Sequence, residues 1–151
     1  MVARTVRETL RPASLSVLVD TNVVLDVILD RAPWADGASR LLDAIGNARL
    51  RGFIAGHAVT TVHYIVERER DHTRAATAVS DLLELLDVVS LESADFQRAL
   101  SLGLRDYEDA VQVAACLKVG ASFLVTRNTK DFKGAPVETR SPGEVLALLH
   151  A

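Results

Sequence analysis

From Leu15 to Leu149 the chain alternates between two hydrophobic rhythms. Short apolar runs at 16–20, 52–55, 87–91 and 121–126 have the character of strands, the first reading as a buried strand of a parallel sheet and the last as strongly apolar. Between them, apolar residues recur every three or four positions, the period of a helix packed by one face. Val23-Val24-Leu25-Val27-Ile28-Leu29 form a first helix ending near Asp30-Arg31. Pro33 terminates it, and Trp34 is expected to plug a gap beside the loop. Ala35 to Ile45 is a second helix with Ala38, Leu41, Leu42 and Ile45 on one face, stopped by Gly46-Asn47. His57 to about Glu69 is a third. A fourth starts at Asp71-His72-Thr73 and turns Ala75, Ala78, Val79, Leu82, Leu83 and Leu86 inward. Ser93 is expected to cap a fifth, stopped by Gly103, and Asp106 a sixth, Tyr107 to Val119, stopped by Gly120. Pro136-Val137-Glu138 reads as an edge strand, where proline is tolerated. Ser141-Pro142-Gly143-Glu144 then opens the last helix, Val145 to Leu149, with Ser as N-cap, Pro at N1 and Glu at N3.

Strands alternating with helices or helix pairs predict an α/β protein: a parallel sheet with helices on both faces. Residues 1–14 form a separate arm, with Val2, Val6 and Leu10 at helical spacing, Arg4, Arg7 and Arg11 around the turn, and Pro12 as its break. The expectation is a helix packed on the domain or on a partner subunit, with a basic patch for RNA phosphate second. Residues 15–151 form one domain, without internal repeat or linker.

Composition narrows the function. Aromatics at 5% make stacking platforms for single strands a poor expectation, and a net charge of −3 excludes an overall basic nucleic-acid binder. A local basic rim still permits a nucleic-acid substrate. The single Cys116 rules out an intramolecular disulfide and a cysteine zinc cluster, and suits a reducing cytoplasm. No apolar run is long enough to span a membrane, and no signal-type h-region follows the N-terminal arginines.

The chemistry gathers at strand ends. Val17-Leu18-Val19 ends in Asp20, and a structural account offers no reason for an acid closing a buried strand. Asp106-Tyr107-Glu108-Asp109 opens the sixth helix, and Thr126-Arg127-Asn128-Thr129-Lys130-Asp131-Phe132 follows the strand at 121–126. In a parallel sheet these ends converge at one edge. Carboxylates gathered there repel one another unless a cation sits between them, and Mg²⁺ or Mn²⁺ suits all-oxygen ligands. Such a centre serves phosphodiester hydrolysis. Asp20, Asp109 and Asp131 are the candidate ligands. Asp106 reads first as an N-cap and Glu108 as a solvated first-turn acid. Thr21, Asn22 and Thr126 either orient the acids or act as caps.

Val-Asp-Thr-Asn at 19–22, Asp109-Ala110 leading an alanine-rich helix, and Leu-Val-Thr-Arg-Asn-Thr-Lys-Asp-Phe at 124–132 together resemble the PIN domain family over about residues 15–149. Asp30-Arg31-Ala-Pro and Tyr-Glu-Asp-Ala are similar to the subgroup that includes bacterial VapC-type toxins. The resemblance implies a Rossmann-like α/β/α sandwich and a metal-dependent endoribonuclease using Mg²⁺ or Mn²⁺. It also implies a homodimer and, in many members, a small antitoxin protein encoded alongside. It carries over to Asp20, Asp109, Asn128 and Asp131. The family's usual Glu, early in the helix after the second strand, is absent: that position falls on Thr60 or Thr61, while Glu67 and Glu69 stand about two turns later. Thr60, Thr61, His57 or Glu108 is left to complete the site. Two other classes compete. A catalytically degenerate PIN-like module would bind protein or RNA without cutting. A phosphatase or nucleotide hydrolase ranks low, because the chain has no phosphate-binding Gly-Lys-Ser/Thr loop and position 22 is Asn22 rather than a second Asp.

Overall fold

The computed structural model describes residues 15–150, so the expected arm at 1–14 lies outside the described residues. Five strands form the central sheet: β1 (Ser16–Val19), β2 (Arg51–Ala55), β3 (Asp87–Val89), β4 (Phe123–Val125) and β5 (Thr139–Arg140). All pair in parallel, in the order β3-β2-β1-β4-β5. The helices are α1 (Thr21–Ile28), α2 (Ala35–Gly46), α3 (Gly56–Glu69), α4 (His72–Leu85), α5 (Ser93–Ser101), α6 (Tyr107–Val119) and α7 (Pro142–Leu149), with a 3-10 turn at Thr129–Phe132.

The apolar runs are strands because both their faces are covered. Val17, Leu18, Val19, Leu124 and Val125 are wholly buried. Helix α6 lies across β1 to β4 with α5 packed against it, while α1 to α4 and α7 pack among themselves as the other layer. The fit over β2 is close: a Cβ on Gly52 would stand 2.6 Å from Leu86 Cδ2 and 2.7 Å from Ile45 Cδ1. The chain steps outward from β1 to β2 to β3, then returns past β1 to add β4 on its other side. This reversal leaves a crevice outside the carboxyl ends of β1 and β4, where open α/β sheets bind ligands.

Several local expectations shift. Helix α1 begins at Thr21, two residues earlier than the apolar pattern suggested. The N-cap of α5 is Glu92 rather than Ser93, in a reciprocal capping box with Asp95. Strand β3 stops at Val89, and β5 is Thr139–Arg140 rather than 136–138, so Pro136 needs no place in the ladder. Trp34 fills no gap: it is 46% exposed, and the Arg127 guanidinium lies 3.9 Å from its ring centroid. Leu83 also faces outward, since α4 buries only Ala75 and Leu82 along its length. Asp106 and Ser141 cap their helices through side-chain oxygens as expected, and Asp71 does the same at the start of α4.

Candidate active site at the sheet switch point

Asp20 follows β1 directly, and its backbone N–H donates to Val125 O at 2.9 Å, extending the β1–β4 pairing by one step. The backbone turns into α1 at once, with Val23 N–H donating to Asp20 O at 3.1 Å. Asp20 thus stands in the N-cap position, yet its side chain makes no cap hydrogen bond. Its Oδ2 instead accepts from Thr126 Oγ1, at 2.8 Å, across the crevice. Only 4% of Asp20 is exposed. Burial pushes its carboxyl up to about 6, and the Glu108 charge adds to this against the Thr126 hydrogen bond.

The first turn of α6 supplies the facing acids. Asp106 Oδ1 accepts from Asp109 N–H at 3.0 Å, which fixes the start of the helix. Asp106, Glu108 and Asp109 each offer an oxygen, and the three lie within 4.8 Å of one another. Desolvation pushes the Asp109 carboxyl up to about 7, reinforced by the charges of Asp106, Asp20, Glu108 and Asp131. The charges of Asp20 and Asp131 both act on Asp109, so the three acids share one electrostatic neighbourhood. Asp131 itself is exposed on the 3-10 turn. Its backbone N–H donates to Asn128 O at 3.0 Å, and Asn128 N–H donates to Thr126 Oγ1 at 3.2 Å. One threonine hydroxyl therefore links Asp20 to the loop that carries Asp131.

Glu108 is the solvent-reaching first-turn acid expected from its position, its side chain 42% exposed, but it is also fixed by two partners. His57 Nε2 lies 3.0 Å from Glu108 Oε1, and Gln112 Nε2 donates to the same oxygen at 3.1 Å. Burial raises this carboxyl, but the hydrogen bonds from His57 and Gln112 outweigh it and hold Glu108 below its ordinary value. Gln112 Nε2 also lies 3.1 Å from Thr21 Oγ1, tying α6 to the start of α1. Thr60 and Thr61 both turn their hydroxyls back to His57 O of their own helix, at 2.9 and 3.3 Å. Helix α3 thus contributes His57, which contacts a carboxylate of α6. Glu67 and Glu69 stay outside the crevice: Glu69 pairs with Arg31, and Glu67 with His63 and His72. Asn22 Oδ1 is buried with no hydrogen-bond partner among the described residues.

Two participants escaped the sequence reading. Gln112 is the one polar residue in the buried run Ala110–Cys116, and it stands four residues from Glu108, on the same helix face. Asp26 interrupts the apolar α1 and is 1% exposed, with Arg127 at 3.4 Å and Arg31 at 3.9 Å. Both were visible as polar residues inside apolar patterns.

Comparison with known proteins agrees with this architecture. The family model for the PIN domain matches residues 16–130. The chain is similar to Ribonuclease VapC1 of Aquifex aeolicus (strain VF5), 24% identical over 139 residues, covering 87% of this chain and 93% of that protein. It shares its fold with VapBC2 from Rickettsia felis bound to a promoter DNA fragment, with a TM-score of 0.67, 16% identity, and coverage of 84% of this chain and 98% of that one. A toxin–antitoxin complex from Klebsiella pneumoniae matches with a TM-score of 0.64, 23% identity, and coverage of 83% and 97%. The matched residues run from β1 through the loop after β4 and take in Asp20, Asp109 and most of the 126–131 segment, so the chain belongs to the PIN domain family.

Proposed function

We propose that this protein is a metal-dependent endoribonuclease of the VapC type, the toxin of a toxin–antitoxin pair. The observation that carries the reading is the gathering of acids at the switch point, where Asp20 and Asp109 are raised to about 6 and about 7. Carboxyls crowded and desolvated in this way fit a divalent cation, which would relieve their repulsion. The unpartnered oxygen of Asn22 fits the same donor set. Asp20, Asp109 and Asp131 would hold Mg²⁺ or Mn²⁺, both of which favour oxygen ligands. When bound, such an ion acidifies water and neutralises charge developing on the phosphate and the leaving oxygen.

The surrounding residues position these acids. Thr126 orients Asp20 and links it to Asn128 and Asp131. Glu108, steadied by His57 and Gln112, takes the part of the acid absent from α3. Gln112 and Thr21 hold α6 against α1 so that Asp109 faces Asp20. Lys130 and Lys133, exposed on either side of Asp131, form a local basic rim suited to RNA phosphate despite the net charge of −3. The relatives' toxin–antitoxin assemblies support a small antitoxin as partner. RNA as substrate, a second copy of the chain as dimer mate, and a cytoplasmic setting complete the proposal. Among the described residues no helix is long and apolar enough to cross a membrane.

Asp20→Asn tests the reading. RNA cleavage in Mn²⁺ should fall by about 10² or more, and Mn²⁺ binding by calorimetry should weaken at least tenfold, with the fold intact by circular dichroism. A variant that cuts as fast as the parent would remove Asp20 from the metal centre. A parent that neither binds Mn²⁺ nor cuts RNA would identify a non-catalytic member.

A further inference from the structure

A second cluster of ligand atoms lies outside the acidic crevice, on the hairpin of α3 and α4. His63 and Glu67 are four residues apart on α3, so they share one face. His72 is the first residue of α4, brought back over that face by the short turn at Arg70-Asp71. Glu67 Oε2 is 3.4 Å from His63 Nδ1 and 3.7 Å from His72 Nδ1. Each residue offers a ligand atom within 4.8 Å of the other two. A tetrahedral ion with bonds near 2.0–2.1 Å needs neighbouring ligand atoms about 3.3 Å apart, so two of the three edges already stand close to the required length.

The hairpin that carries these side chains is anchored through its buried face. Val62, Val66 and Ala75 beneath the cluster are wholly buried, and Asp71 caps α4 by accepting from Arg74 N–H at 2.8 Å. The His63 and His72 rings meet edge to face at 5.6 Å, which keeps both imidazoles on the same side. Two nitrogens and one carboxylate select a borderline cation over the hard ions that suit the acidic crevice. His63 is also about 9 Å along α3 from His57, six residues at 1.5 Å each, so the two clusters are separate.

We propose that His63, Glu67 and His72 form a binding site for Zn²⁺ or a similar borderline transition-metal dication. The bound ion braces the α3–α4 hairpin and keeps an open coordination position for water or an exchangeable ligand.

The test uses the full chain and Zn²⁺ as the probe, in an Asp20→Asn/Asp109→Asn background that weakens the acidic crevice. Calorimetry should find one Zn²⁺ per chain, with no competition from millimolar Mg²⁺. A hundredfold excess of Zn²⁺ over its dissociation constant should raise Tm by about 5–10 °C. Adding His72→Ala, at a side chain that is 76% exposed, should weaken Zn²⁺ binding at least tenfold and abolish the rise in Tm. Zn²⁺ affinity unchanged by His63→Ala/His72→Ala overturns the site, as does a background variant that binds no Zn²⁺ at micromolar concentration. If the double variant does not fold, imidazole nitrogen resonances of the background protein decide. Shifts of His63 and His72 on adding Zn²⁺ support the site, and unmoved resonances overturn it.

Discussion

Burial raises the Asp20 carboxyl from its ordinary 3.8 to about 6 even though Thr126 donates a hydrogen bond to it. In the metal-free protein this carries a stability cost with a definite sign. A carboxyl that holds its proton more tightly folded than unfolded contributes stability below its unfolded pKa. That contribution is lost as pH rises, through about 6 for Asp20 and about 7 for Asp109. Asp20→Asn is neutral throughout. In EDTA near pH 8 it should therefore be more stable than the parent by roughly 2–3 kcal/mol, and the gap should close toward about pH 4. Saturating Mn²⁺ should narrow or reverse the order near pH 8, because the ion stabilises only the protein that binds it. Thermal melts across pH, with and without Mn²⁺, read both effects. Parallel curves for parent and variant in EDTA would mean that Asp20 carries no strain. Cys116 shows the same physics without a function in the site: burial alone pushes its thiol up to about 11, which leaves it a core residue and a poor nucleophile.

Helix α6 is the element on which fold and proposed chemistry meet, because its first turn carries the cap, Asp106, beside Glu108 and Asp109. Asp106 both satisfies the Asp109 N–H and raises the Asp109 carboxyl by its charge. Two substitutions separate these effects. Asp106→Ala removes the cap and should cost about 1 kcal/mol, a fall in Tm of roughly 2–4 °C. Asp106→Asn keeps an N-cap while removing the charge, so its Tm in EDTA should match or exceed the parent's. Differential scanning calorimetry distinguishes them, and equal losses in both would show that the charge rather than the cap matters. The cap was legible in the sequence because an N-cap is a local event among adjacent residues. The central strands were legible because burial on both faces leaves an unbroken apolar run. Strand β5 was displaced in the reading because Thr139–Arg140 is too short and too polar to carry a pattern. The fixation of Glu108 was hidden for a different reason. Its partner His57 is 51 residues away in the chain, and no local periodicity reports such a pairing.

At the scale of the molecule, one buried carboxylate joins pieces that the sheet order keeps apart in sequence. Asp26 on α1 lies 3.4 Å from Arg127, which follows β4, and 3.9 Å from Arg31 in the loop after α1. Arg127 stacks over Trp34, and Arg31 reaches on to Glu69 at the end of α3, at 3.6 Å. The network therefore ties together α1, the 29–34 loop, α3 and the start of the 126–131 loop. The carboxyl of Asp26 is itself raised, because burial outweighs the pull of Arg127 and Arg31. That balance makes the pair a costly one to form and a worse one to break, since removing one partner leaves the other's charge uncompensated. Asp26→Ala should lower stability by roughly 2–3 kcal/mol, a fall in Tm of about 5–10 °C, less than a fully enclosed pair because both arginines reach solvent. Arg127→Leu keeps the apolar contact with Trp34 and removes the charge, and the double variant should lose less than the sum of the single losses. The Arg40–Asp36 pair, exposed and one helical turn apart, is the control, and breaking it should cost under about 1 kcal/mol. If the Asp26–Arg127 cycle gave no coupling, the loop carrying Asn128 and Asp131 would be held by Thr126, its own turn and the buried Phe132 without help from Asp26. RNA cleavage by Asp26→Ala would then persist at the parent's rate below its melting transition. Coupling together with a reduced rate at that temperature would instead tie the position of Asp131 to a buried carboxylate on α1.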